Sequence, residues 1–178
     1  MMTARPEIRV QPGEVYLVRY PAILQTILGS CVSATFWIER LGAGALCHGL
    51  LPRCPPGAKP PDAFRYVDFS IRYLAEQFDA LGACRHEVEV KLFGGADVLP
   101  SVVPRTGQPT VGALNSRAAW EVLAGAGLTV LASDLGGVRG RSIQFDTASG
   151  EVLVRRLAMV NRGGAPASPA VASYGTRL

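Results

Sequence analysis

The sequence has few charged residues and no long apolar run, and each shortage excludes a class of protein. Charged residues make up 18% of the 178 residues, the formal net charge is +4, and lysine and arginine form no cluster typical of nucleic-acid binding. No apolar run approaches the ~20 residues that span a bilayer, and the N-terminus lacks the apolar stretch of a secretory signal. We therefore expect a cytoplasmic protein that neither inserts into a membrane nor binds nucleic acid.

Cysteine and histidine are also scarce, and their spacing argues against metal and disulfide sites. The chain has four cysteines, none of them in the C-x-x-C spacing of a structural zinc site. A metal cluster of Cys47, His48 and Cys54 is disfavoured, because Cys47 and His48 point to opposite faces if they lie on a strand. Thiols stay reduced in the cytoplasm. We expect no disulfide bond, no metal ion and no cofactor.

The apolar residues that are present, 48% of the chain, recur with helix and strand spacings. Spacings of three and four between Val67 and Leu81 predict an amphipathic helix with Asp62 as its N-cap. A second helix is predicted over residues 116–126, capped by Asn115. Six or seven further segments have the composition and alternation of β-strands. Together they predict an α/β or α+β fold in a single layered domain.

The two ends of the chain differ in composition from its middle. Residues 1–13 contain Pro6 and Pro12 with little periodicity, which predicts a flexible N-terminal arm. Residues 161–178 are rich in glycine, alanine, proline and serine, with few large apolar groups, which predicts a disordered tail. The folded domain is accordingly predicted to cover residues 14–160.

The residues around Cys31 and His48 suggest a nucleophile and its base. Cys31 directly follows a glycine and a serine, small residues that permit a tight turn and leave the thiol uncrowded. His48 lies 17 residues further on, in an apolar run. An imidazole within hydrogen-bond reach activates a thiol at neutral pH. The strand-like segments 32–38 and 45–51 predict a hairpin that returns His48 towards Cys31.

Two interpretations of this pair follow from the residues alone, and both stay open at this point. In the first, the pair is catalytic, and the Cys31 thiol has a larger thiolate fraction than the other cysteines because a base lies beside it. In the second, Cys31 is a buried apolar residue and His48 is a hydrogen-bonded core histidine.

Five segments, in order along the chain, resemble the CheD family of chemoreceptor glutamine deamidases. The segments are Thr26-Ile-Leu-Gly-Ser-Cys-Val32, Gly44-Ala-Leu-Cys-His-Gly-Leu-Leu-Pro52, Lys91-Leu-Phe-Gly-Gly-Ala96, Val111-Gly-Ala-Leu-Asn115 and Asp134-Leu-Gly-Gly-Val-Arg-Gly-Arg-Ser142. The resemblance runs from about residue 14 to residue 157. It departs at Thr110, where the family commonly has asparagine.

The resemblance implies both an activity and a fold. The family hydrolyses the side-chain amide of selected receptor glutamines to glutamate and ammonia, and its cysteine and histidine correspond to Cys31 and His48. The threonine that orients the base corresponds to Thr26. Gln25 is the alternative, because some members carry one more residue before the cysteine. The implied fold is layered, with mixed β-sheets and outer helices, similar to the cytotoxic necrotizing factor deamidases.

The resemblance also implies partners. The substrates would be the cytoplasmic helices of methyl-accepting chemoreceptors, and some members of the family bind the phosphatase CheC. One alternative function is therefore a protein that serves mainly as a binding partner of receptors or of CheC, with little catalysis. Another is a cysteine amidase or peptidase that acts on a different substrate.

Overall fold

The computed structural model describes residues 5–98, 107–158 and 176–177, the last two by their backbone. These parts contain ten strands and two α-helices. The strands are β1 (Glu7–Arg9), β2 (Val15–Val18), β3 (Ile23–Leu28), β4 (Val32–Ile38), β5 (Ala43–Cys47), β6 (Glu89–Gly94), β7 (Val130–Leu135), β8 (Arg141–Asp146), β9 (Val152–Arg156) and β10 (Thr176–Arg177). The helices are α1 (Val67–Ala80) and α2 (Val111–Gly125).

The strands form two five-stranded sheets. Sheet A has the order β1-β3-β8-β9-β10, and sheet B has the order β2-β5-β4-β6-β7. In each sheet one pair is parallel, β1 with β3 in sheet A and β6 with β7 in sheet B. The other neighbours are antiparallel. Both sheets are therefore mixed, as the family resemblance implied.

Sheet B lies between the helices and sheet A, because its side chains alternate between two apolar clusters. Phe36 of β4 packs on the helix side with Ile71 of α1 and Leu123 of α2. Leu46 of β5 packs on the other side with Phe145 of sheet A. The order of layers is sheet A, sheet B and helices, which confirms the predicted layered α+β domain with helices outside.

Helix α1 confirms the predicted apolar stripe but not its predicted start. Val67, Ile71 and Leu74 are buried, as their spacing indicated. Asp62 lies instead in a short 3-10 turn over Asp62–Arg65, and α1 has no side-chain cap. The chain leaves the helical conformation at Tyr66, which is extended and forms a parallel bridge with Leu51.

Helix α2 begins five residues earlier than predicted, at Val111, because Thr110 is its cap. The Ala113 N–H donates to Thr110 Oγ1 over 3.1 Å, which satisfies one of the free donors of the first turn. Asn115 is therefore not a cap but a fully buried residue inside the helix. Within residues 5–98 and 107–158, no helix is long and apolar enough to cross a membrane.

Residues 5–13 belong to the fold, in contrast to the predicted flexible arm. Strand β1 pairs with β3, and Val10 is buried in the cluster between the sheets. A three-residue strand has no periodicity of its own to detect, so its conformation depends on the strand beside it. Of the predicted disordered tail, residues 176–177 form β10 against β9. The remainder, residues 161–175 and 178, lies outside the described residues.

Candidate active site

The hairpin of β4 and β5 places Cys31 and His48 on the same side of sheet B. Just beyond β5, Val32 and Gly49 exchange two backbone hydrogen bonds of 2.9 Å. Facing residues of a ladder point to the same side, and the side alternates along each strand. Val32 belongs to the cluster on the helix side, whereas Cys31 packs against the cluster between the sheets. The predicted hairpin is confirmed, and Cys31 and His48 both face sheet A.

Thr26 of β3 meets the His48 ring from the opposite sheet. Thr26 Oγ1 lies 2.7 Å from His48 Nδ1 and 2.8 Å from the carbonyl oxygen of Val10, and both side chains are buried. A hydroxyl has one proton, and the Val10 carbonyl is able only to accept it. Thr26 therefore donates to Val10 and accepts from Nδ1–H of His48. This hydrogen bond assigns the proton of the neutral ring to Nδ1 and leaves the Nε2 lone pair free.

Burial keeps this imidazole uncharged at neutral pH. It lowers the pKa of His48 to about 4, against smaller opposing effects of the Val10 carbonyl and the Glu14 charge. Nε2 is buried and has no hydrogen-bond partner among the described residues, so Cys31 Sγ does not bond to it in this state. His48 thus has the protonation state of a general base.

Burial of the Cys31 side chain acts against a large thiolate fraction, and the predicted difference from the other cysteines stays a prediction. The side chain is half-buried, and burial raises the pKa of the thiol above its ordinary value. The backbone N–H of Cys31 itself opposes this rise in pKa only in part. A base beside a thiol increases its thiolate fraction when the two form an ion pair. Burial favours the neutral form of both groups, so attack by the sulfur is coupled to proton transfer.

Comparison with known proteins identifies the family. The family model described as CheD chemotactic sensory transduction matches residues 50–156. A protein of Geobacter sulfurreducens named probable chemoreceptor glutamine deamidase CheD 2 is 44% identical over 160 residues, 88% of this chain and 96% of that protein. The chain belongs to the CheD family.

Other relatives agree with this assignment. A probable chemoreceptor glutamine deamidase CheD of Oleidesulfovibrio alaskensis is 37% identical and covers 85% of this chain and 73% of its own. A probable chemoreceptor glutamine deamidase CheD of Pseudomonas fluorescens is 35% identical, and the match covers 86% of this chain and 86% of that protein. A solved structure, the hypothetical protein YfiH of Bacillus licheniformis, aligns with a TM-score of 0.44 and 10% identity over 76% of this chain and 60% of its own.

The family's glycine pair, Gly94 and Gly95, holds the backbone at Cys31. The Gly95 N–H donates to the Cys31 carbonyl over 2.8 Å, and the Ala96 N–H donates to the Gly29 carbonyl over 2.9 Å. Gly94 has a φ of +114°, and a Cβ there would lie 2.0 Å from the Cys31 carbonyl oxygen. This position requires glycine because the two backbones approach so closely.

Arg141, which directly follows the glycine-rich loop after β7, supports the backbone turn at Gly94. The Arg141 guanidinium is fully buried and donates to the carbonyl oxygens of Gly94, over 2.6 Å, and of Gly136, over 2.5 Å. It also donates to the carbonyl of Asp134. Arg141 therefore binds protein carbonyls here and holds the Gly94 turn against sheet A.

Thr26 and Gln25, the two candidates for orienting the base in this CheD-family chain, lie on opposite faces of β3. Thr26 faces sheet B and contacts His48, whereas the Gln25 amide donates to Glu7 over 3.1 Å at the surface. This geometry favours Thr26. An open groove of about 370 Å³ reaches His48 and Thr26, and Arg9 and Arg155 also line it.

Two residues of the site were not recognised from the sequence. Val10, in the predicted arm, supplies the carbonyl that accepts the Thr26 proton. Asn115, predicted as a helix cap, donates from Nδ2 to the carbonyl oxygens of Ser30 and Leu50, each over 2.9 Å. Its place in a family segment was the only signal, because both bonds join segments distant in the chain.

Proposed function

We propose that this chain is a cytoplasmic glutamine deamidase of chemoreceptors, with Cys31 as nucleophile, His48 as base and Thr26 as the residue that orients the base. The names of the curated relatives support the substrate and the reaction. The observation that carries the residue roles is the buried hydrogen-bond chain from His48 Nδ1 through Thr26 to the Val10 carbonyl. It leaves Nε2 of a neutral imidazole available to accept a proton.

The first half of the reaction forms a thioester. As a receptor glutamine binds, Cys31 Sγ attacks its side-chain carbonyl carbon while the thiol proton passes to His48 Nε2. Catalytic hydrogen bonds often tighten only once the substrate is bound, which fits an Nε2 without a partner among the described residues. His48 then returns the proton to the leaving nitrogen, and ammonia departs.

The second half hydrolyses the thioester. A water molecule transfers a proton to His48 Nε2 as its oxygen attacks the thioester carbonyl carbon. The tetrahedral intermediate collapses, the carbon–sulfur bond breaks, and the Cys31 sulfur regains its proton from His48. The product is a glutamate side chain.

The oxyanion of both tetrahedral intermediates needs a hydrogen-bond donor, and we assign this role to the backbone N–H of Cys31. That N–H lies close enough to Sγ to stabilise its charge. Glycine and serine precede it, and neither has a large side chain. The loss of one such donor typically costs ~10²–10³ in rate.

We expect the rate of deamidation to fall at low pH with an apparent pKa near 4, not near the ordinary histidine value of 6.5. The base acts only when it is neutral, so activity is retained above the lowered pKa and lost as the pH falls through it. The apparent pKa is measured from initial rates of ammonia release by the folded protein over a pH range that includes both 4 and 6.5. A loss of activity centred near pH 6.5 would contradict the buried base.

The function itself is tested by incubating the full chain with the purified cytoplasmic fragment of a chemoreceptor from the same organism. We expect the intact mass of the fragment to rise by the increment of single deamidations, with one ammonia released for each. Peptide mapping then identifies the glutamines converted.

Each alternative gives a different result in this experiment. A complex with the receptor fragment and no change in its mass would indicate a binding partner. Cleavage of the fragment would indicate a peptidase. Association with the phosphatase CheC stays a prediction, and co-purification of the two proteins tests it.

A further inference from the structure

Asn115 joins the two segments that carry Cys31 and His48. It lies in the interior of α2 and is fully buried. Its Nδ2 group donates one proton to the carbonyl of Ser30, the residue before Cys31, and the other to the carbonyl of Leu50, two residues after His48. A single nitrogen thereby contacts both halves of the proposed site.

This link lies where the two segments diverge. The hairpin's last paired residues are Val32 and Gly49. Beyond them the Cys31 carbonyl accepts a hydrogen bond from the Gly95 N–H, whereas the Leu50 N–H donates to the carbonyl of Arg65. The backbone ladder therefore no longer sets the distance between these segments, and the Asn115 amide bridges them instead.

The chemistry of asparagine suits this role. An amide nitrogen has two protons, and an aspartate of the same shape has none when ionised. Asparagine is a poor helix former, because its side chain competes for backbone hydrogen bonds. Its burial inside α2 therefore indicates a tertiary role.

We propose that Asn115 is a positioning residue, whose amide sets the approach of Cys31 Sγ to His48 Nε2. The inference rests on the proposed roles of Cys31 and His48. It predicts a loss of turnover without a loss of receptor affinity, because Asn115 contacts backbone carbonyls of the site.

The test compares Asn115→Ala and Asn115→Asp with Leu123→Ala. Leu123 is also fully buried in α2, but it packs only on the helix side, so its truncation controls for lost stability. We expect kcat to fall on the order of 10²-fold in both Asn115 variants, as for a misplaced reactive group, with KM nearly unchanged. Leu123→Ala should lower the melting temperature at least as much and keep the wild-type kcat.

The pH profile of Asn115→Asp provides a second readout. A buried carboxyl facing two carbonyl oxygens has a raised pKa, and once protonated it regains one donor. Its rate relative to wild type should therefore increase as the pH falls from about 8 to about 6. A folded Asn115→Asp with a constant relative rate would argue against positioning.

A measurement without receptor separates this inference from the proposed function. Near neutral pH, reaction of Cys31 with iodoacetamide is assisted by transfer of the thiol proton to His48, whereas at high pH, above the raised pKa of the thiol, it ionises without a base. Asn115→Ala and His48→Gln should slow the alkylation of Cys31 roughly 10-fold at neutral pH and leave its rate unchanged at high pH. Alkylation of the exposed Cys84 in the same sample is the internal reference.

The outcomes distinguish the two ideas. Slowed alkylation in Asn115→Ala, together with a wild-type chain that leaves the receptor unchanged, would support positioning and reject the proposed function. Wild-type alkylation of Cys31 in Asn115→Ala would overturn the inference, whatever the chain does to the receptor.

Discussion

Replacement of Cys31 with alanine should abolish deamidation of the receptor fragment, lowering the single-turnover rate by roughly 10⁴-fold or more, as for other removed nucleophiles. In the proposed mechanism the sulfur forms the bond to the glutamine carbonyl carbon, and the alanine methyl group cannot form this bond. Cys31 is half-buried and its backbone is held by Gly95 and Ala96, so the fold should persist. Intact-mass analysis and a thermal melt of the same sample measure both effects.

The matched control is Cys84→Ala, because Cys84 is an exposed thiol outside the site. It should retain the wild-type rate. If folded Cys31→Ala deamidated the receptor as fast as wild type, Cys31 would be a structural residue and the thioester mechanism would be wrong.

Removal of the proposed base, His48, should have the second largest effect. His48→Ala is expected to lower the rate by at least ~10²-fold, the usual contribution of a general base. Thr26→Val keeps the shape of the side chain and removes the hydroxyl that accepts from Nδ1, so it should cost less, about 10-fold. In the His48→Ala background Thr26→Val should cost almost nothing further, because groups that act as one unit are not additive.

A double-mutant cycle on single-turnover deamidation tests this coupling. Thr26→Ser retains the hydroxyl and should keep most of the rate. His86→Ala, at an exposed position in the 3-10 turn Arg85–Glu87, controls for the loss of a histidine. Fully additive losses would show that Thr26 acts elsewhere and would remove it from the site.

Local sequence was sufficient to predict the strand pairing that brings the candidate residues Cys31 and His48 to the same side of sheet B. Cys31 and His48 flank a hairpin, and a hairpin is specified by two adjacent strands and the short link between them. The stripe from Val67 to Leu81 predicted a helix face for the same reason, since its period is a local property, and the structure buries it as far as Phe78. Helix starts were less predictable. Thr110 and Asn115 are both residue types that cap helices, and Thr110 is the one that caps α2.

Residues that act through distant contacts could not be predicted in this way. Val10 contacts Thr26 only because β1 pairs with β3, and the pairing partner lies 16 residues further along the chain. Asn115 lies 85 residues from Ser30 and 65 from Leu50, so nothing in its own segment indicates either bond. Such contacts exist only once the sheets and α2 have packed.

By itself the sequence determined the family, the mixed layered fold and the identity of Cys31, His48 and Thr26 as candidates, because motifs, periodicity and hairpin spacing are short-range properties. The tertiary structure alone decided their chemical states. Packing of sheet A on sheet B buries His48 and lowers its pKa to about 4, and it aligns Thr26 so that Nδ1 holds the ring proton. Burial likewise raises the pKa of the Cys31 thiol. Desolvation depends on what surrounds a group in space, and the order of residues along the chain does not specify that directly.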